Sequence, residues 1–163
     1  MSEAVTQLTE SLLQQFKNET FVLLSTVDVE SGGPTSTAIS WIYAENASTF
    51  RVAIDHRSRL VNNMITNPLI TVTVFGEETV YAVNGRAAVR QDPLQDVPFN
   101  MCCFDITIEA VRNALFYGAQ LSSVPQYVKI YDQRAAEKLD EQVFAAMKKP
   151  SERSLGFLLS FVR

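Results

Sequence analysis

Residues 53–63, AIDHRSRLVNN, leave an apolar run, place Asp55, His56, Arg57, Ser58 and Arg59 in succession, and resume with Leu60 and Val61. Ser58 stands where a helix N-cap is expected. Such a cap would leave the backbone N–H groups of Arg59, Leu60 and Val61 facing outward from the first turn, where the helix dipole favours an anion. Arg57 and Arg59 add forked donors that match phosphate oxygens, and Asn62 and Asn63 follow within reach of a phosphate or a hydroxyl. The same residues also read as a solvated turn, with Ser58 only capping and both arginines in water. His56, the single histidine, reads as a phosphate contact, a proton donor or an exposed turn residue. A Ser-His-Asp set would have to use it, and nothing else points that way.

Other chemistry is sparse. Cys102 and Cys103 are the two cysteines and are adjacent. Neighbours are awkward to bridge, and no metal-ligand spacing accompanies them, so they read as reduced thiols in a strand and no metal is expected. Asp105 and Glu109 share one face of an alternating strand, a pattern of solvent sides. Trp41 reads either as core or as an aromatic beside a bound ring. No catalytic residue is assigned.

The elements that would carry these residues follow from periodicity. Val5, Leu8, Leu12, Leu13 and Phe16 mark an amphipathic helix ending near residues 17–19. Three strands are expected at 20–29, 35–44 and 49–54, with the turn ESGGP between the first two and ENAS before the third. Their short connections favour antiparallel pairing. A helix over 59–66 stops at Asn67-Pro68. Strands at 69–75 and 79–91 form a hairpin, 92–98 connects, and 104–110 and 126–132 are further strands. A helix spans 133–148, and the apolar tail LGFLLSFVR is expected to pack on the core or on a second subunit.

The 163 residues suit a single domain, 1–163, mainly β with flanking helices, in a barrel-like antiparallel sheet. Fourteen basic against eighteen acidic residues give a net charge of -4, which offers no support for a nucleic-acid partner. No apolar run approaches the roughly 18 residues of a membrane span. The start MSEAVTQLTE lacks a basic, apolar leader, so the cytoplasm is the expected location.

The order of these features resembles the pyridoxamine 5'-phosphate oxidase-like family, the FMN-binding split barrels. The resemblance covers roughly residues 18–91 and is carried by STVDVESGGPTSTAISWIYAE (25–45), FRVAIDHRSRLVNNMITNPLITVTVF (50–75) and VNGRAAV (83–89). Ser58-Arg59, Asn63, Asn67-Pro68 and Gly85 stand where the family's motif places them. The resemblance implies a split antiparallel β-barrel that binds FMN between two subunits of a homodimer. Carried over by position, Thr37, Ala38, Ile39, Ser40 and Trp41 would contact the flavin ring and ribityl chain, and Ile54 and Asp55 would line the edge. Arg57, Ser58 and Arg59 would hold the phosphate, with Asn62 and Asn63 nearby. The segment FYGAQ (116–120) would approach the partner's flavin.

This chain departs from the pattern in three places. Leu60 stands where many relatives carry a lysine, Val80 corresponds roughly to a glutamine, and the C-terminal arginine–histidine substrate motif of the oxidase itself is missing. Pyridoxamine phosphate oxidation is therefore not expected. The implied function is flavin-dependent oxidoreduction of an unidentified small molecule. The alternatives are a flavin-binding stress or sensor protein without turnover, or a deazaflavin or haem binder on the same fold. Haem would want an axial ligand, for which His56 in a basic turn is a poor candidate.

Overall fold

A computed structural model describes residues 5–76 and 78–150. Seven antiparallel strands make one sheet: β1 (Val22–Val27), β2 (Pro34–Ile39), β3 (Ile42–Asn46), β4 (Thr49–Asp55), β5 (Leu69–Gly76), β6 (Thr79–Gln91) and β7 (Met101–Asn113). Their order across the sheet is β2-β1-β5-β6-β7-β4-β3. Three helices complete it: α1 (Glu10–Gln15), α2 (Arg59–Thr66) and α3 (Gln133–Lys148).

The sheet cannot be flat. β2 and β3 lie on opposite edges, which in a flat sheet would be about 29 Å apart at about 4.8 Å per strand. Yet only Ser40 and Trp41 connect them, and the three residue steps from Ile39 to Ile42 span at most about 11 Å. The sheet must therefore curl until its two edges nearly meet. No ladder joins β2 to β3 among the described residues, so the barrel is split there.

Each face of the curled sheet has its own apolar cluster. The larger gathers Phe16, Leu24, Phe50, Val52, Leu60, Met64, Val72, Phe104 and Ile106 inside the curl, beneath α1 and α2. The smaller lies outside, where Tyr43, Ala53, Met101 and Cys103 meet Val143, Ala146 and Met147 of α3. Cys102 belongs to the inner cluster and Cys103 to the outer, as alternation along a strand requires. Both are free thiols, as the sequence led us to expect.

Several expected elements hold closely. The β5–β6 hairpin, α2 capped by Ser58 and Asn67, and α3 capped by Asp132 all form. In the turn before β2, Gly32 adopts φ 73°, a conformation a side chain would resist, and its N–H reaches the Asp28 carbonyl at 2.8 Å.

Other expectations need correction. The run 35–44 is not one strand: it breaks at Ser40-Trp41, because its halves pair with β1 on one edge and β4 on the other. The first helix is shorter than 5–17. Thr9 caps it, its side chain accepting from the Leu12 N–H, while Val5 pairs with Val111 in an isolated bridge. The strand at 104–110 extends to 101–113, since β4 and β6 pair along it on both sides.

No strand forms at 126–132. That segment finds no ladder and is held by side chains instead: Tyr127 donates to Glu19, and Lys129 pairs with Glu19 and Asp140. Val128 and Ile130 face solvent. The tail LGFLLSFVR lies outside the described residues.

Arg51 escaped the sequence reading. It is 4 % exposed, within β4. Its Nε donates to Asp105 Oδ1 at 2.7 Å, and its Nη1 to the Tyr43 hydroxyl at 2.7 Å and to the Met147 carbonyl at 3.1 Å. A buried guanidinium thus ties the last turn of α3 to the sheet. Asp105, read as a solvent residue, is drawn into this pair, whereas Glu109 stays exposed against Arg86.

Candidate functional site

The curl brings the end of β2, the Ser40-Trp41 connection, the end of β4 and the start of α2 to one place. They enclose a mostly apolar cleft of about 280 Å³, lined by Thr37, Ala38, Ile39, Ser40, Trp41, Ala53, Ile54, Asp55, Ser58 and Leu60. Eight of these were singled out from the sequence. Leu60 was named only for its backbone N–H and as a departure from the family, and Ala53 not at all. Ala53 lies opposite Cys103 on β4 and packs toward α3, so its neighbours gave no local signal.

Among the described residues β2 pairs only with β1, which leaves its outer edge without a ladder beside the cleft. Trp41 forms one wall and is held in place: its Nε1 donates to Asp140 Oδ1 of α3 at 2.9 Å, and its carbonyl accepts from the Ala53 N–H at 3.1 Å. Core packing and cleft lining are both roles of this ring.

At the other end, Ser58 caps α2, its hydroxyl accepting from the Leu60 N–H at 3.2 Å. The Val61 N–H reaches the Ser58 carbonyl at 3.3 Å. Two of the three donors expected to face outward are thus used internally.

Arg57 is almost fully exposed and forks onto Asp55, with Nη2 to Oδ2 at 2.8 Å and Nε to Oδ1 at 3.1 Å. Those hydrogen bonds hold the Asp55 carboxyl below its usual range. Arg59, also exposed, lies 3.7 Å from Asp28 and 3.9 Å from Glu30. Asp28 too is held low, first by hydrogen bonds from Ser31 and then by Arg59. Both guanidiniums therefore have carboxylate neighbours, and an incoming anion must compete with them. Both arginines are themselves exposed and the Arg59 contacts of 3.7 and 3.9 Å are loose, although Asp28 is buried.

Asn62 is exposed on α2. Asn63 is not where a ligand could reach it: it is 1 % exposed, its Oδ1 accepts from the Val29 N–H and its Nδ2 donates to Thr26 Oγ1, both at 3.0 Å. It pins the start of the β1–β2 turn to α2. His56 does not line the cleft; its Nε2 meets Asp92 Oδ1 at 2.5 Å, and its N–H donates to the Asn100 carbonyl. Of the 116–120 segment, Phe116, Tyr117, Gly118 and Ala119 line a separate hollow with Thr79 and Asn113.

A larger hollow of about 530 Å³ lies between α1 and residues 124–127. It contains none of the residues the sequence singled out. Among the described residues no helix is long and apolar enough to cross a membrane.

Residues 8–111 match the family model described as pyridoxamine 5'-phosphate oxidase. No curated protein sequence matches the chain. Among solved structures it is similar to a protein from Lactobacillus delbrueckii assigned as a pyridoxamine 5'-phosphate oxidase, with TM-score 0.58 and 21% identity over 68% of this chain and 99% of that one. It is similar also to HupZ of Group A Streptococcus, with TM-score 0.56 and 16% identity over 71% and 99% of the two chains. General Stress Protein 26 of Bacillus anthracis gives TM-score 0.53 and 18% identity over 64% and 91%. At these identities the likeness is one of fold.

Proposed function

The chain belongs to the pyridoxamine 5'-phosphate oxidase family, and from that premise we propose that it binds FMN in the cleft beside β2 and serves as a flavin-dependent oxidoreductase for a small molecule. One observation carries the reading. Thr37, Ala38, Ile39, Ser40, Trp41, Ile54, Asp55 and Ser58, named from sequence position alone, surround a single cleft.

The residues suit the group. A flat ring needs an apolar slot with a few polar contacts. Ala38, Ile39, Trp41 and Ile54 supply the first; the free edge of β2 and the Thr37 and Ser40 hydroxyls supply the second. Arg57 and Arg59 would turn from their carboxylate partners to the phosphate, beside the N-terminus of α2. The same unpaired edge is the side on which a second copy would close the slot, giving a homodimer with flavin between subunits. The bound flavin would supply the electron chemistry, while the chain binds it, orients it and keeps water from its face.

A second reading, flavin binding without turnover, is favoured by the lining itself. Asp55 is the one ionisable side chain among its lining residues, so the cleft offers no acid–base pair to a substrate. Haem finds less support, because the one histidine meets Asp92 outside the cleft.

Trp41 is the sole tryptophan and so reports on the cleft. FMN titration should quench its fluorescence, and flavin absorbance should survive desalting. FMN should bind more tightly than riboflavin, and Arg57→Ala with Arg59→Ala should bring the two affinities together. A chain that neither quenches nor retains FMN overturns the flavin reading, and retention of a deazaflavin instead would redirect it. Reoxidation no faster than that of free flavin, with no reductant accelerating turnover, would select the binding-only form.

A further inference from the structure

His56, Asp92 and Cys102 are far apart in the sequence, yet their ligand atoms lie within 4.8 Å of one another. The sheet explains the meeting. β7 lies between β6 and β4. Cys102 stands opposite Ile54 of β4, and its neighbour Cys103 opposite Gln91 of β6. Asp92 follows Gln91 directly, and His56 comes two residues after Ile54, its backbone N–H on the Asn100 carbonyl. The residue just past β4, the residue just past β6 and the second residue of β7 therefore meet at one rim of the sheet.

We propose that His56 Nε2, an Asp92 carboxylate oxygen and Cys102 Sγ bind a divalent transition-metal ion, zinc by preference. A nitrogen, an oxygen and a sulfur donor form the mixed set that zinc accepts. A neutral imidazole, a carboxylate and a thiolate together balance the charge of a divalent ion. On binding, the Cys102 S–H bond gives way to a metal–sulfur bond and the proton leaves to solvent. The His56–Asp92 hydrogen bond, 2.5 Å now, gives way to two metal–ligand bonds.

Ligand atoms around tetrahedral zinc sit about 3.3–3.5 Å apart, so side-chain rotations complete the site. Cys102 is buried while His56 and Asp92 reach the surface, which leaves the fourth position facing water. The metal would clasp the ends of β4, β6 and β7 just before the loop that enters α2. The proposal does not depend on flavin.

The test is cobalt(II) added to the purified full chain, with and without FMN. One ion per chain should bind and give a thiolate-to-cobalt charge-transfer band, displaced by zinc, in the native protein and in Cys103→Ser, whose thiol lies on the opposite face. Cys102→Ser should abolish the band. His56→Gln and Asp92→Asn, at the surface, should each weaken cobalt binding by more than the roughly 10–100-fold that outer-shell partners are worth. No band in the native chain, or a band that persists in Cys102→Ser, overturns the site. Should Cys102→Ser fail to fold, cobalt affinity unchanged in both surface variants overturns it equally. Since FMN retention is read separately, failure here leaves the flavin reading standing, and the reverse.

Discussion

Asn63→Ala separates two accounts of one residue. By family position Asn63 would sit near a phosphate; in the structure it joins α2 to the β1–β2 turn through two hydrogen bonds of 3.0 Å. Each such bond contributes about 0.5–1.5 kcal/mol, and a buried partner left unmade costs about 1–3 kcal/mol. Thr26 is buried and loses its donor, whereas the Val29 N–H, on an exposed residue, can turn to water. The expected loss is therefore about 2–3 kcal/mol, read as a lower midpoint in urea unfolding of the flavin-free chain with an unchanged slope. The ratio of FMN to riboflavin affinity should hold, because no phosphate contact is removed. A variant as stable as the native chain to within about 0.5 kcal/mol, but with that ratio collapsed, would refute the structural role and restore Asn63 to the ligand.

Other substitutions probe the frame. A Cβ on Gly85 would lie 2.5 Å from the Thr107 carbonyl and 2.9 Å from Ile106 Cγ2, so Gly85→Ala should destabilise by about 1–3 kcal/mol in denaturant unfolding. Arg51→Ala takes the Nε donor from Asp105, which keeps Arg90 at 3.6 Å, and the Nη1 donor from Tyr43 and Met147, which keep each other; it should cost about 1–3 kcal/mol, with Arg51→Met, which refills the volume, recovering part of it. Asp140→Ala releases the Trp41 indole N–H and should shift Trp41 emission and weaken FMN binding without changing the FMN-to-riboflavin ratio. The Tyr127 phenol is pushed up to about 12, first by burial and then by Glu19. A raised folded-state pKa means that its contribution to stability is intact below the ordinary value near 10 and is lost as pH rises through about 12; Tyr127→Phe should remove that alkaline component from a stability–pH profile.

What could be read from the sequence was whatever local period and punctuation encode. The α2 boundaries followed from Ser58 and Asn67-Pro68, and the β5–β6 hairpin from its alternation. The cleft residues were found because family position fixed them, not because TAISW declares a slot. What stayed hidden depends on register. Nothing within 35–44 tells that Ile39 and Ile42 end on opposite edges of one sheet. Arg51 drew no reading from its own strand, because the Asp105, Tyr43 and Met147 groups that surround it come from elsewhere in the chain. The segment 126–132 has strand-forming residues, but a strand needs a neighbour with free hydrogen-bonding groups, and the chain holds that segment by Tyr127 and Lys129 instead. His56, Asp92 and Cys102 share no window of sequence, so only pairing across β7 unites them.

The two-residue passage from β2 to β3 also bears on how the chain folds. The β1–β2 and β3–β4 hairpins are local and can form early, but they are tethered at Ser40-Trp41 and destined for opposite edges. They reach those places only when β5, β6 and β7 fill the space between them, with β7 pairing to β4 across about fifty residues of chain. Closing loops of that length is slow beside hairpin formation. The cleft at the tether is therefore among the last features to take shape, complete only when the whole sheet is.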